Sequence, residues 1–247
     1  MKGIILAGGT GSRLFPLTKV TNKHLLPVGK YPMIFHSVNK LKEANINDIL
    51  IVTGKEHMGD VVNLLGSGRD MGVSFTYKVQ DEAGGIAQAL DLAEQFVCGD
   101  QMVVILGDNV FEDNISGYVD NFREQSKGAK ILLQEVHDPQ RYGVAELDGD
   151  MIISIEEKPQ QPKSNYAVTG IYMFDSSVFD IVKTLKPSGR GELEITDVNN
   201  AYIARGELTY DVLQGWWTDA GTHVSWAKAN ELAQNITFSE EFGKLKL

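Results

Sequence analysis

The sequence of 247 residues contains one cysteine, Cys98, and therefore has no intrachain disulfide. A chain without disulfides is typical of a reducing compartment, and we expect a cytoplasmic protein. Cys98 follows Phe96 and Val97, an apolar context in which cysteine usually behaves as a small buried hydrophobic residue. We therefore expect Cys98 to be buried and give it no catalytic role.

Long hydrophobic runs are also missing. The first apolar run, residues 4–7, is too short for the core of a signal peptide, and no later run approaches the length of a membrane span. Positive charge is scarce, since 23 lysines and arginines stand against 33 aspartates and glutamates, for a net charge of −10. We expect no export, no membrane partner and no nucleic-acid partner, although a few local cations would suffice for a nucleotide.

A glycine-rich segment follows the first apolar run. Residues 4–7 fit a short buried strand, and Gly-Gly-Thr-Gly at 8–11 comes directly after it. Glycine lets the backbone approach a ligand closely, and converging backbone N–H groups form a cup for anionic oxygens. Two cations, Arg13 and Lys23, come next. The segment therefore predicts a polyphosphate site more strongly than a site for a neutral ligand.

Several familiar motifs do not fit this chain. The dinucleotide fingerprint G-x-G-x-x-G fails because Leu14 stands where the third glycine belongs, and the glycine loop is not followed by the Gly-Lys-Ser or Gly-Lys-Thr of a P-loop. The hydrolase motif G-x-S-x-G and the metal motif H-E-x-x-H are absent as well. Dehydrogenase and hydrolase functions therefore have little support. An ordinary strand-to-helix turn remains the alternative for the glycine loop taken alone.

Strand-like and helix-like patterns alternate through the first half of the chain. They run in the order 33–44 (helix), 49–52 (strand), 59–65 (helix), 73–77 (strand), 87–96 (helix) and 102–106 (strand). This order predicts an α/β fold with a Rossmann-like, mostly parallel mixed sheet flanked by helices. Ligands of such sheets bind beyond the carboxyl ends of the strands, and the glycine loop, Gln80 and Asp108 each follow a predicted strand.

The pattern changes near residue 129. Short strands at 131–133, 144–147 and 151–155, with a hairpin turn at 148–150, precede helical segments at 178–185, 192–203 and 224–235. We expect a single domain over residues 1–247. Its parts are a nucleotide-binding half at 1–128, a half at 129–223 that covers the other end of the cleft, and a C-terminal helix and tail at 224–247.

Residues 8–28 resemble the signature of the sugar nucleotidyltransferases, G-G-x-G-[ST]-R-L-x-P-x-T-x-x-x-x-K-x-L-L-P-V. The matching positions are Gly8, Gly9, Gly11, Ser12, Arg13, Leu14, Pro16, Thr18, Lys23, Leu25, Leu26, Pro27 and Val28. This family joins a sugar 1-phosphate to a nucleoside triphosphate and releases pyrophosphate. The Lys-x-Leu-Leu-Pro-Val form is most similar to the thymidylyltransferase branch, in which glutamine usually stands where this chain has His24.

The resemblance implies a reaction. The chain would transfer a thymidylyl group from dTTP to α-D-glucose 1-phosphate, giving dTDP-glucose and pyrophosphate, the first step towards dTDP-L-rhamnose and related deoxysugars. The nearest alternative is the same chemistry with UTP, because both bases present the same edge to Gln80. An alternative of another class is a catalytically silent sugar-nucleotide-binding protein. Such a protein should have lost Arg13, Lys23 or a metal carboxylate, and none of them is lost.

The resemblance also implies base and metal contacts. Gln80 and Gly85 are the implied base contacts, and a glutamine amide matches the N3–H and carbonyl groups of a pyrimidine. The branch usually carries prolines in this loop, and this chain does not. Asp108 in Gly-Asp-Asn and Asp219 in Trp-x-Asp-x-Gly are the implied Mg²⁺ ligands, since Mg²⁺ prefers one or two carboxylates plus phosphate oxygens. Without these motifs, each aspartate could equally be a helix cap.

The implied site has a nucleotide end and a sugar-phosphate end. The implied nucleotide-binding residues are Leu6, Gly8, Gly9, Thr10, Gly11, Ser12, Arg13, Lys23, Gln80, Gly85 and Asp108. The implied sugar-phosphate-binding residues are Tyr142, Gly143, Glu157, Lys158, Val168, Arg190 and Trp217. The implied catalytic residues are Arg13, Lys23, Lys158 and Asp108. Arg-Tyr-Gly-Val at 141–144, Glu-Glu-Lys-Pro at 156–159 and the segment at 190–197 that begins with Arg190 resemble motifs of the family. Without their motif, Glu157 and Lys158 could equally belong to a solvated charge cluster.

The chain continues only briefly past His223. Members of the thymidylyltransferase branch usually have a longer helical C-terminal region, which contributes to oligomer contacts and to a regulatory nucleotide site. We therefore expect a homo-oligomer, a dimer or a tetramer, with reduced or altered feedback control.

Overall fold

The computed structural model describes residues 1–238. The strands are β1 (Lys2–Ala7), β2 (Pro27–Val28), β3 (Tyr31–Pro32), β4 (Asp48–Gly54), β5 (Ser74–Gln80), β6 (Met102–Leu106), β7 (Asn109–Phe111), β8 (Ala129–Glu135), β9 (Gly143–Asp148), β10 (Met151–Glu157), β11 (Tyr166–Phe174), β12 (Leu208–Val212) and β13 (Trp217–Asp219). The helices are α1 (Met33–Glu43), α2 (Met58–Leu65), α3 (Ile86–Asp91), α4 (Glu94–Val97), α5 (Ser116–Glu124), α6 (Val178–Val182), α7 (Ile195–Ala204) and α8 (His223–Leu232). No helix in this part of the chain is long and apolar enough to cross a membrane.

A nine-stranded mixed sheet forms the centre of the fold. Its main path is β10-β9-β11-β6-β1-β4-β5, and β8 joins it through β11 and carries β12. The strands β6, β1, β4 and β5 are parallel, whereas β11 runs antiparallel to β6, β8 and β9. The predicted α/β class with a mostly parallel mixed sheet is therefore confirmed.

Helices cover both faces of the sheet. Ile4 and Leu6 of β1 join one apolar core, which also contains side chains of α3, α6 and α7. Ile5 and Ala7 join a second core, which contains side chains of α1, α2 and α5. Successive side chains of a strand point to opposite faces, so a strand that is covered twice must be apolar throughout. This explains why the central strands appear in the sequence as continuous hydrophobic runs.

Three predicted helices differ from the structure, and one of them, 178–185, is helical only over α6. The segment 87–96 divides into α3 and α4, and the segment 192–203 begins as a helix only at Ile195. Backbone groups just before Ile195 bond elsewhere, since the N–H of Leu193 donates to the carbonyl of Gly84 at 2.8 Å. The expected C-terminal helix is α8, and the expected tail beyond residue 238 lies outside the described residues.

Cys98 is exposed, so the expectation that it is buried is wrong. Its φ of 51° is in the left-handed region, and it caps the C-terminus of α4 directly before Gly99. Helices commonly end with a residue in this conformation. The apolar neighbours of Cys98 favoured a buried side chain. In the structure the helix ends at this residue, and the chain turns towards solvent there.

The longest strand, β11, changes its partner in the middle. One edge of β11 pairs with β8, while the other edge pairs with β9 at Ala167 and with β6 over residues 171–174. Between these pairings the N–H of Gly170 donates to Oδ1 of Asn109 at 3.1 Å. The strands β9 and β6 therefore occupy the same edge of β11 with a gap between them. A gap at the carboxyl ends of β1 and β6 is where open α/β sheets bind ligands.

Candidate active site

A cleft of about 370 Å³ occupies this gap and receives side chains from both halves of the chain. The sequence-predicted residues that line it are Leu6, Gly8, Gly9, Arg13, Lys23, Gln80, Gly85, Asp108, Tyr142, Gly143, Glu157, Lys158, Val168, Trp217 and Asp219. Thr10 lines a smaller adjoining cavity of about 100 Å³, together with Gly8 and Gly9. Gly11, Ser12 and Arg190 are outside both linings.

The glycine loop packs closely against Gln80. A Cβ placed on Gly8 would lie 2.4 Å from Oε1 of Gln80, so a side chain at position 8 would displace the glutamine. Gln80 ends β5, the strand next to β4, and its Nε2 donates to the carbonyl of Gly85 at 3.2 Å and to Gln88 at 2.9 Å. The loop at the end of β1 and the loop at the end of β5 therefore form one wall of the cleft.

Gly85 connects the predicted base loop to the second half of the chain. Its φ of 101° is unfavourable for other residues, and a Cβ there would lie 2.5 Å from the carbonyl oxygen of Leu193. Leu193 donates to the carbonyl of Gly84 and accepts from the N–H of Ala87, at 2.8 and 3.1 Å. These backbone bonds define the shape of a loop that lacks the prolines usual in the thymidylyltransferase branch.

Lys23 and Asp108 form an ion pair inside the cleft. The lysine begins a short 3₁₀ turn, Lys23–Leu25, and its Nζ lies 2.5 Å from Oδ2 of Asp108. Both side chains are largely shielded from solvent. Burial by itself raises the pKa of Asp108, but the Lys23 cation and the amide of Asn109 more than offset this and bring the pKa below its ordinary value. Asp108 is therefore an anion at neutral pH.

Asp219 lies beside Asp108 although the two residues are far apart in the sequence. The strands β7 and β13 pair antiparallel, with Asn109 opposite Asp219, and the N–H of Ala220 donates to the carbonyl of Asp108 at 2.7 Å. Oδ2 of Asp219 and Oδ2 of Asp108 lie 3.4 and 3.6 Å from the position that a Cβ on Gly221 would take. Both carboxylates therefore face one common space.

The two carboxylates suit a divalent cation. Burial and the negative charge of Asp108 raise the pKa of Asp219 above its ordinary value, so a cation placed between the two groups would relieve both effects. Residues 1–238 contain no cluster of three or more acidic, histidine or cysteine side chains that could hold a metal by themselves. A cation here would need further oxygens from substrate phosphates or water, as Mg²⁺ usually does.

Arg141 is a cleft residue that the sequence analysis did not select. Its Nη2 and the hydroxyl of Tyr142 both donate to Oδ1 of Asp219 at 3.3 Å. The guanidinium lies 5.1 Å from the centre of the Tyr142 ring. Arg141 was visible only as the first residue of the Arg-Tyr-Gly-Val motif. Its partner Asp219 is 78 positions further along the chain, so no local pattern could indicate the pairing.

The opposite end of the cleft carries Glu157 and Lys158. Glu157 accepts a hydrogen bond from Oγ1 of Thr196 at 2.9 Å, and the Lys158 ammonium lies 2.9 Å from the other carboxylate oxygen of Glu157. Gly143 lines the same end, and the Oε2 of Glu157 lies 3.4 Å from its Cβ position. This end therefore offers carboxylate, hydroxyl and ammonium groups, which suit the hydroxyls and phosphate of a sugar phosphate.

Arg190 lies at the rim of the cleft. Its Nη2 lies 2.8 and 3.0 Å from the two carboxylate oxygens of Glu194 and 3.6 Å from Oε1 of Glu157. The Arg190 side chain is 46% exposed. Its predicted contact with the sugar phosphate stays a prediction, and it requires the guanidinium to leave Glu194 or to bridge both anions.

Two buried polar residues of the cleft were also missed. Asn109 donates to Oδ1 of Asp108 at 3.1 Å and accepts from Nε1 of Trp217 at 2.6 Å, so it orients a predicted metal ligand and a predicted sugar contact together. His24 is 1% exposed, and burial together with the neighbouring Lys23 cation lowers its pKa to about 3. Asn109 directly follows Asp108 in the sequence, and His24 directly follows Lys23. This adjacency to a predicted site residue was the only indication in the sequence for either of them.

Comparison with known proteins gives a consistent family. The nucleotidyl transferase family matches residues 2–236. Glucose-1-phosphate thymidylyltransferase of Neisseria meningitidis is 43% identical over 240 residues, which cover 96% of this chain and 83% of that protein. The enzyme of the same name from Xanthomonas campestris is 44% identical over 241 residues, with 95% and 81% covered.

Solved structures with similar folds include a chain of Bacillus anthracis in complex with a sucrose. That chain, provisionally named a glucose-1-phosphate thymidylyltransferase, is 67% identical and superposes with a TM-score of 0.95 over 98% of this chain and 99% of its own. A UDP-glucose pyrophosphorylase in complex with UDP-glucose has a TM-score of 0.84 over 94% of this chain and 97% of its own. It is 24% identical and shares the fold.

Proposed function

Since this chain belongs to the nucleotidyl transferase family, we propose that it is a glucose-1-phosphate thymidylyltransferase, which converts dTTP and α-D-glucose 1-phosphate into dTDP-glucose and pyrophosphate. The observation that carries the proposal is the joined cleft. A glycine loop with Lys23 and Asp108 forms one end, and Glu157 with Lys158 forms the other. A reaction between a nucleoside triphosphate and a sugar phosphate needs both ends in one continuous space.

The chemistry needs no general base. An oxygen of glucose 1-phosphate is already an anion, and it attacks the α-phosphorus of dTTP in line with the bond that breaks. The bridging oxygen leaves with the electron pair of that bond as part of pyrophosphate. The barrier lies in bringing two polyanions together and in stabilising the charge that moves to the leaving group. Positioning and electrostatic stabilisation are therefore the contributions that this protein must make.

The side chains of the cleft suit these tasks. Arg13 and the backbone N–H groups of residues 8–12 would hold the leaving pyrophosphate. Lys23, the most buried cation of the glycine segment, would neutralise the α-phosphate as charge develops there. Lys158 and Arg190 would hold the attacking phosphate. Gln80 and Gly85 would contact the base.

Asp108 and Asp219 would hold Mg²⁺. When bound, Mg²⁺ acts as a Lewis acid that neutralises charge on the phosphate oxygens. Asp108 is anionic beside Lys23, and the raised pKa of Asp219 is a consequence of burial and of the neighbouring carboxylate. Both residues therefore offer oxygens whose negative charges are close enough to share one divalent cation.

We expect EDTA to abolish pyrophosphate release and added Mg²⁺ to restore it. Asp219→Asn removes one of the two facing charges, so it should raise the Mg²⁺ concentration for half-maximal rate by about tenfold or more. The measurement is initial rate against Mg²⁺ concentration for both proteins. Asp180→Asn, on α6, is the matched control because Asp180 lies outside the cleft. Full activity in EDTA would contradict the proposal.

The proposed activity is tested with purified protein and glucose 1-phosphate, offered dTTP and UTP in parallel. We expect pyrophosphate release with dTTP, with kcat/KM at least about tenfold higher than with UTP, a difference of about 1.4 kcal/mol. The UTP alternative is favoured if the ratio is reversed. A protein that binds a sugar nucleotide but releases no pyrophosphate with either triphosphate would instead be a sensor.

Three further properties belong to the same proposal. The product dTDP-glucose would supply dTDP-L-rhamnose and related deoxysugar synthesis. The reaction would take place in the cytoplasm, because both substrates are highly charged metabolites that do not cross a membrane unaided. The protein would be a homo-oligomer, dimer or tetramer, which light scattering of the purified protein would measure directly.

A further inference from the structure

Asn22 holds the segment that carries Lys23 and His24. It is 5% exposed, and its Oδ1 accepts the backbone N–H of His24 at 2.9 Å, which caps the 3₁₀ turn. Its Nδ2 donates to the carbonyl of Ala7, the last residue of β1, at 3.2 Å. A backbone N–H can only donate and a backbone carbonyl can only accept. These two contacts therefore determine which atom of the Asn22 amide is oxygen and which is nitrogen.

The orientation of Asn22 in turn determines the tautomer of His24. The same Oδ1 lies 2.6 Å from Nδ1 of the His24 ring. Because Oδ1 is an acceptor, Nδ1 must carry the proton. The ring is buried beside the Lys23 cation and is neutral, so Nε2 carries no proton and has a free lone pair.

Nε2 of His24 has no hydrogen-bond partner among residues 1–238, although the ring is almost completely buried. The ring lines the cleft, as does Leu6, and Nε2 lies 3.4 Å from the position that a Cβ on Gly107 would take. Leu6, Lys23 and the glycine loop make this the nucleotide end. An acceptor that lines a cleft and has no protein partner is available to a donor group of a bound ligand.

We propose that Asn22 is a positioning residue that keeps Nε2 of His24 as a hydrogen-bond acceptor for a donor group of the bound nucleotide. This inference rests on the proposed function for the identity of the nucleotide. A thymidine triphosphate with ionised phosphates has two such donors, the N3–H of the base and the 3′-hydroxyl of the sugar. Asn22 acts through the His24 tautomer in addition to capping the turn, and the two roles can be separated by experiment.

The test is a double-mutant cycle measured as the Kd of dTTP by calorimetry, without glucose 1-phosphate. His24→Phe keeps the ring but removes the acceptor, and it should weaken dTTP binding about tenfold. His24→Gln carries a carbonyl acceptor that needs no tautomer, and it should stay within about threefold of the wild type. Asn22→Ala should weaken binding about tenfold beside His24 but only about twofold beside Gln or Phe at position 24.

A purely structural cap predicts a different result. If Asn22 only caps the turn, Asn22→Ala should weaken dTTP binding by the same factor whether position 24 is His, Phe or Gln. An equal effect in these three proteins would therefore overturn the inference. Wild-type affinity of His24→Phe would overturn it as well. The cycle measures affinity for dTTP and does not depend on catalysis. If the wild type binds dTTP but releases no pyrophosphate, the proposed function is refuted, while the coupling between Asn22 and His24 can still be measured.

The same cycle with 2′,3′-dideoxythymidine triphosphate identifies the donor group. If the 3′-hydroxyl is the donor, the coupling between Asn22 and His24 disappears with this analogue. If the N3–H of the base is the donor, the coupling persists with this analogue and disappears with 3-methylthymidine triphosphate. Coupling that survives both analogues would overturn the assignment of the partner to the nucleotide.

Discussion

Lys23→Met should lower kcat by about two to three orders of magnitude. The Lys23 ammonium is a buried cation near the glycine loop, with its Nζ 3.4 Å from the Cβ position of Gly9 and 2.5 Å from Asp108. A charge held in such a site stabilises developing phosphate charge more strongly than one in water. Methionine keeps the length and apolar character of the stem and removes only the charge. The measurement is steady-state pyrophosphate release at saturating dTTP and glucose 1-phosphate.

The Lys23 substitution needs a check on folding, because it leaves Asp108 buried without its cation. Loss of one partner of a buried ion pair is destabilising, and the pKa of Asp108 should rise because the Lys23 cation no longer lowers it. Thermal unfolding of Lys23→Met is therefore measured beside its activity. Lys19→Met is the matched control, since Lys19 is an exposed lysine of the same segment. A folded Lys23→Met protein with kcat within fivefold of the control would refute the proposed role.

Arg13→Ala should reduce turnover by on the order of a hundredfold or more and leave the fold intact. Arg13 follows the glycine loop, and its Nη2 lies 3.2 Å from the Cβ position of Gly221, beside the two facing carboxylates. It is exposed and forms no hydrogen bond or ion pair with any other residue of 1–238. Its charge acts on Asp219, whose pKa it lowers, but no hydrogen bond holds the guanidinium, which is therefore available to bind the leaving pyrophosphate.

The stability of Arg13→Ala should match that of the wild type within about 0.5 kcal/mol, because an exposed side chain without hydrogen bonds or ion pairs contributes little to folding. The kinetic loss should also appear in the reverse direction, as weaker binding of pyrophosphate to the dTDP-glucose complex. Arg69→Ala is the control, since Arg69 is an exposed arginine in a short turn outside the cleft. Near-normal pyrophosphate release by Arg13→Ala would refute the assignment.

The sequence contained enough local information to predict the sheet and the glycine loop. The apolar run at 4–7 is a strand because it is buried on both faces, and the glycines that follow allow Gln80 to approach. The apolar run and the glycines are adjacent in the sequence, so both could be predicted from it, whereas the contact of the glycine loop with Gln80 could not. The longest strand, β11, was not predicted, because its role depends on pairing with three strands from distant parts of the chain.

The exposure of Cys98 and the ion pair of Arg190 show the limits of local patterns. Apolar neighbours suggested a buried cysteine, but the end of α4 places it in a turn at the surface. Arg190 carries the charge that its motif implied, but Glu194 binds its guanidinium at the rim. Burial and pairing of this kind depend on where a helix ends and on which side chains surround it. Neither can be read from residue type alone.

The sequence by itself predicted a polyphosphate site, because the glycine loop, Arg13 and Lys23 are close together in the chain, and the resemblance of residues 8–28 to the sugar nucleotidyltransferase signature implied the reaction class. Only the tertiary structure brought Asp108 next to Asp219, through the pairing of β7 with β13. Only the structure showed that Asn22 orients the His24 ring. Such contacts depend on strand register and on atomic distances of a few ångströms, and these emerge only when the complete sheet has formed.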